Sequence, residues 1–294
     1  METLNNKNYE SFMLYFTFFL LWVSIQFGEV VEDFIAYVMV VSIGILHGAN
    51  DLLILSKKDK GKRTFIKNLI IYIGIIGFCL IIYIFNPFVA ILLFVFLSAY
   101  HFGEEHLGVR ISVNATFDFT YFLAYGLFIF SLLLHQSIPD VDKVMRELTG
   151  TIITVKQIEI VLITSASVLF LGSVYLFLSK RVALGVFVKE SFYLLLLFLV
   201  FKTSSLILGF AIYFILWHSI PSIMHQIEFI SGDLNKANVL YYFKKALLYW
   251  GISIVSLFIL YQIVSDIELF STVIFAILFA VTAPHAWVMF RMKN

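Results

Sequence analysis

Residues 66–107 read IKNLIIYIGIIGFCLIIYIFNPFVAILLFVFLSAYHFGEEHL, and this stretch decides the fold class. Two apolar runs, 66–85 and 88–107, meet at Asn86-Pro87. Each has the length, about 20 residues, that an α-helix needs to cross the hydrocarbon core of a bilayer, and a proline between them favours a tight turn. The second run ends in a polar cluster of His101, Glu104, Glu105 and His106. An ionisable side chain within a membrane span, such as His101, marks a functional site by default.

Working outward, the rest of the chain divides in the same way. Further spans are expected at 11–28, 33–55, 115–135, 158–179, 183–202, 204–230, 243–263 and 268–291, which makes ten in all. The weakest division is the one at Lys202–Ser205. Only 13% of the residues are charged and 61% are hydrophobic, against roughly 25% and 45–50% in soluble domains. The sequence therefore reads as an all-α integral membrane protein, a single polytopic domain over residues 1–294. It leaves no room for a soluble domain and shows no internal repeat. METLNNKNYE lacks the basic character of a signal-peptide n-region, so 11–28 is kept as the first span. The lone Cys79 permits no intrachain disulfide. No basic run interleaved with aromatics offers a nucleic-acid groove.

Charge sets the orientation. With the N-terminus inside, fifteen of the 20 Lys and Arg fall on the cytoplasmic side, among them Lys7, Lys60 and the rest of the Lys57–Lys67 cluster. Lys143, Arg146, Lys156 and Lys202 fall outside, and Lys189 lies within a span. This obeys the positive-inside rule and puts both termini in the cytoplasm. The acidic linkers Glu29–Asp33 and Asp266–Glu268 fall on the outer side.

Four histidines, His47, His101, His218 and His285, lie in even-numbered spans that all run inward. Their positions correspond to about 9–18 Å from the inner boundary at 1.5 Å per residue. Four imidazoles from four helices can thus share one layer in the inner half of the bilayer. A single histidine in a bundle is as readily a packing residue; four at similar depth point to a shared metal site, since imidazole suits iron, zinc and copper.

The local sequences assign supporting roles. In Gly44-Ile-Leu-His47-Gly48-Ala-Asn50-Asp51, Asp51 falls one turn after His47. It is expected to accept the second ring N–H of that histidine, with Gly48 letting another backbone approach. In Tyr100-His101-Phe102-Gly103-Glu104-Glu105-His106, Glu105 shares the face of His101, while His106 lies about 140° around the helix and is a poor co-ligand. His225 follows His218 by seven residues, about 10.5 Å along the axis, and reaches the same ion only if Pro221 kinks the helix. Pro284 beside His285 marks another expected break. Glu228 is a weaker supporting candidate. His135, ending the fifth span, is unrelated. Tyr100 and Trp217, each next to a candidate ligand, are candidate walls of an apolar slot, or ordinary packing residues.

The series Gly-Ile-Leu-His47-Gly-Ala-Asn-Asp51, His101-Phe-Gly103, Trp-His218-Ser and Thr-Ala-Pro-His285 resembles the bacteriorhodopsin-related protein family (Brp/Blh), in the family's order and over nearly the whole chain. These are membrane-bound β-carotene 15,15′-dioxygenases of bacteria and archaea. The resemblance implies an iron(II) enzyme that splits β-carotene at its central double bond with O₂ to give two molecules of retinal. It also implies residence in the inner membrane and a functional link to a microbial rhodopsin that takes up the retinal. By the same resemblance His47, His101 and His218 hold the iron. Many members carry a second histidine one turn after the position of His218, where this chain has Ser222; the fourth ligand is then His285, with His225 second. His106 stands where the family often has an acidic residue. A transporter, a haem-binding membrane protein and a di-iron desaturase are the alternatives. The desaturase would need adjacent histidine pairs, which seven dispersed histidines do not supply.

Overall fold

A computed structural model describes residues 2–58, 61–108, 110–263 and 267–293, and side chains within these except 2–7 and 267–275. Lys60 and Asp266 lie outside the described residues, as do the side chains of Lys7 and Glu268. Among the described residues there is no strand. Eleven helices follow one another: α1 Glu2–Gln26, α2 Glu29–Lys58, α3 Lys62–Phe85, α4 Pro87–Leu107, α5 Ala115–Gln136, α6 Ile138–Thr149, α7 Val155–Leu178, α8 Leu184–Thr203, α9 Leu206–Ser231, α10 Lys236–Ile263 and α11 Ile267–Lys293.

Among the described residues eight of them, α2–α5 and α7–α10, are long and apolar enough to cross a membrane. Their boundaries follow the chemistry of the chain. Asn86 accepts a hydrogen bond from the Val89 N–H and Pro87 opens α4, so the turn between α3 and α4 is an N-cap followed by a proline with no donor to lose. Ser205 caps α9 through the Leu208 N–H, which divides α8 from α9. Thr154 and Gln157 form a capping box at the start of α7.

The short helix α6 falls in a stretch read from the sequence as a loop. Its Val141, Met145 and Leu148 recur at helical spacing and are buried against Ile91 of α4 and Ile158 of α7.

Helix α9 is the centre of the bundle, 67% of its apolar window being buried against 6% for α10. On α10, Leu240, Leu248, Ile252, Val255 and Phe258 all face outward, as lipid-facing residues do. The closest helix contact is between α4 and α5. A Cβ at Gly103 would lie 1.9 Å from the Phe122 carbonyl oxygen, and one at Gly126 would lie 1.9 Å from that of Ala99. The two glycines interlock the backbones directly, a small-residue packing suited to helices that gain nothing from the hydrophobic effect between them.

Two helices depart from α geometry. Residues Val40–Gly44 of α2 and Tyr213–Ser219 of α9 are π-helical. A π turn spends one extra residue and so rotates the face that follows it, and such turns concentrate at functional sites. The second of them ends just before Pro221, where the wider turn absorbs the missing donor and the bulk of the ring. Pro284, by contrast, lies inside the continuous helix α11. The expected break is not there: Pro284 removes one backbone hydrogen bond without ending the helix.

Candidate metal centre

The structure brings four imidazoles together from α2, α4, α9 and α11. His47 lies at 4.5 Å from His285, 5.1 Å from His218 and 6.4 Å from His101, ring centre to ring centre. His101 is 4.7 Å from His218 and 5.4 Å from His285. All four are buried. His47, His101 and His285 each offer a ring nitrogen within 4.8 Å of the other two. The π turns of α2 and α9 fall just before His47 and around His218. The spacing leaves no gap for a porphyrin plane between the rings.

The hydrogen bonding of the rings is incomplete. His47 Nδ1 and both ring nitrogens of His101 and of His218 have no partner. An unsatisfied buried polar atom costs about 1–3 kcal/mol, and each of these three rings has at least one nitrogen free to take a ligand. Ring nitrogens of His47, His101 and His285 this close together could hold a transition-metal ion, and the ring of His218 lies beside them. His285 is already oriented for this. Its Nδ1–H donates to Asp51 Oδ1 at 2.8 Å, which leaves Nε2 as the free lone pair. That Nε2 faces His47 Nε2 at 2.9 Å.

Several residues singled out in the sequence take other partners. Asp51 does not serve His47. The helix is interrupted by a turn at Ala49 and Asn50, so the one-turn relation between the two residues is lost. Asp51 faces α11 instead, where it holds His285, and Tyr72 donates to its other oxygen at 3.1 Å. Glu105 does not reach His101 either. It accepts from His225 Nδ1 at 2.6 Å and pairs with Lys293 Nζ at 3.0 Å. This also removes His225, whose side chain is 33% exposed, from the ligand group. His106 hydrogen-bonds Glu190 at 2.8 Å and stacks on Tyr125, away from the four rings. His135 pairs with Glu159. Gly48 meets no backbone: a Cβ there would rest 3.8 Å from His285 Nδ1.

The candidate walls are engaged in packing. Tyr100 donates to Glu104 and lies against Phe119. Trp217 donates to Thr17 Oγ1 at 3.2 Å and meets Tyr193 edge-on, so its indole supports α1 and α8. The rings that do flank the histidines are Phe102, 4.2 Å from His218, and Phe214, stacked at 5.9 Å on His218 and edge-on to His47. Phe102 adjoins His101 in the sequence, and Phe214 precedes His218 by four residues; both signals were present.

A buried polar chain supports His47 from behind. Gln226 Nε2 donates to the His47 carbonyl at 3.2 Å, and Gln226 Oε1 accepts from Tyr242 OH at 2.7 Å. Asn50 Nδ2 donates to the Tyr242 carbonyl at 3.1 Å. Ser222 is fully buried beside Gln226 and Met289.

A family model described as beta-carotene 15,15′-dioxygenase matches residues 38–293. The match therefore contains all four histidines, together with Asp51, Phe102, Phe214 and Gln226 around them. No curated protein and no solved structure gave a significant match.

Proposed function

Because the chain belongs to the beta-carotene 15,15′-dioxygenase family, we propose that it cleaves β-carotene at the central double bond with O₂, using a ferrous ion held by His47, His101, His218 and His285. The observation that carries this reading is the meeting of four buried histidines, three of which carry ring nitrogens with no hydrogen-bond partner. Iron bound there supplies the one-electron chemistry by which O₂ reacts with an alkene; zinc has none to offer.

The chain's own residues prepare the site. Asp51 keeps the proton of His285 on Nδ1, so that Nε2 remains a donor to metal. Gln226 and Tyr242 hold the backbone of His47 in place. Phe102 and Phe214 surround the imidazoles with apolar surface that excludes water and suits a polyene. The double bond is replaced by two carbonyls, one O₂ being consumed for two retinal molecules. A substrate this apolar enters from the bilayer and its product leaves the same way, for instance toward a retinal-binding rhodopsin. The reading takes the whole chain as one ten-span domain, α1 and α11 included, in the cytoplasmic membrane with both termini inside.

The test is expression in a bacterium that accumulates β-carotene, followed by chromatography of the extracted pigments. Bleaching with appearance of retinal is expected, and its loss in His47→Ala and His101→Ala. Unchanged pigment with the protein in the membrane and iron supplied would overturn the proposal.

A further inference from the structure

Three of the four histidine-bearing helices are joined a second time, at one carboxylate. Glu105 of α4 is buried, its side chain 1% exposed. Its Oε1 accepts from His225 Nδ1 of α9 at 2.6 Å, and its Oε2 lies 3.0 Å from Lys293 Nζ of α11. Lys293 also donates to the Glu104 carbonyl at 3.3 Å and lies 3.6 Å from Glu104 Oε2, and Tyr100 OH donates to Glu104 Oε1 at 3.3 Å. These groups follow His101, His218 and His285 on the same three helices, by four, seven and eight residues. At 1.5 Å per residue that is about 6, 10.5 and 12 Å further along, all toward the same end of the bundle.

The placement has a mechanical consequence. His101 and His218 have no hydrogen bond of their own that fixes their rings. Their aim is left to ring packing, as of Phe102 and Phe214 on His218, and to the positions of α4 and α9. A single buried anion that accepts from α9 and pairs with a cation on α11 fixes the spacing of these helices from α4, a short distance from the rings. His47, on α2, is held separately through Gln226.

We propose that Glu105 is a positioning residue, which with His225 and Lys293 clamps α4, α9 and α11 so that His101, His218 and His285 converge on one metal ion. This rests on the reading of the four histidines as a metal centre. The clamp acts through helix position and touches neither metal nor substrate. Ligand geometry held from outside the ligand set typically governs metal affinity by 10–100-fold.

Two measurements on the purified protein test it. In the first, iron-loaded protein is mixed with excess chelator without oxygen. Glu105→Gln, His225→Gln and Lys293→Ala should release iron at least about tenfold faster than wild type, and Lys293→Arg, which keeps the cation, should restore slow release. In the second, metal-free protein is treated with diethyl pyrocarbonate and the modified histidines are mapped by mass spectrometry. Lys293→Ala, altered at a side chain 24% exposed, should speed labelling of His101, His218 and His285. His106 and His135, held by Glu190 and Glu159, should label as in wild type. Wild-type release together with wild-type labelling in Lys293→Ala would overturn the proposal. So would equal acceleration at all histidines, which marks general loosening. Should wild type retain no iron, the metal-centre reading fails, and the labelling pattern alone decides the clamp.

Discussion

Replacing Gly103 by alanine puts the interlock of α4 and α5 to the test. The added Cβ would sit 1.9 Å from the Phe122 carbonyl oxygen, 2.6 Å from its carbon and 2.9 Å from its Cα. All three are backbone atoms of a helix, so no side chain can swing aside. To regain an ordinary contact of 3.4 Å the helices must part locally by about 1.5 Å. Overpacking of this kind costs about 1–3 kcal/mol, or more where the backbone must move. His101 is two residues away on the same helix, and a displacement of about 1 Å at a reacting centre can cost 100-fold in rate. Gly103→Ala is therefore expected to melt at lower temperature in detergent and to form retinal at least 100-fold more slowly. Gly126→Ala should behave alike. The double variant should lose less than the sum, since both changes relieve one contact. Gly74→Ala and Gly77→Ala, with nothing within 4 Å of the new Cβ, are the controls and should be neutral or slightly stabilising. A Gly103→Ala protein that melts and turns over like wild type would refute the interlock.

Three further outcomes follow from the site. His218→Ala should abolish stoichiometric iron binding, whereas His135→Ala should leave it intact; metal analysis of the two purified variants separates them. Asp51→Asn removes the charge that fixes the His285 tautomer and should weaken iron affinity about 10–100-fold, as read by competition with a chelator, an unchanged affinity counting against the role. Gln226→Leu strands the Tyr242 hydroxyl and releases the His47 carbonyl, and should lower stability by about 1–3 kcal/mol, measured by thermal unfolding of the metal-free protein.

The helical, membrane-spanning class was legible because about 20 apolar residues in a row have few other uses. Helix ends were legible where a capping residue stood, as at Asn86 and Ser205. The π turns at Val40–Gly44 and Tyr213–Ser219 were not, because one extra residue in a turn leaves no compositional mark. The partner of Asp51 was misread for a related reason. Helical spacing assigns it to His47, and only the turn at Ala49 and Asn50 reveals that it faces α11. The partners of Glu105, His225 and Lys293, were not legible, because spacing reports neighbours on its own helix and these come from two distant ones. Tyr100 and Trp217 were chosen for adjacency to a histidine. Neighbouring residues on a helix point about 100° apart, so adjacency alone does not say which ring meets the histidines; Phe102 from α4 and Phe214 from α9 are the rings that lie against His218.

The most direct measurement is reconstitution of the purified, metal-free protein without oxygen, with ferrous iron or with zinc, followed by β-carotene and O₂. The account predicts two retinal molecules per β-carotene consumed with iron and none with zinc. Intact β-carotene in the iron sample, in a mixture where a known carotenoid cleavage enzyme is active, would contradict it.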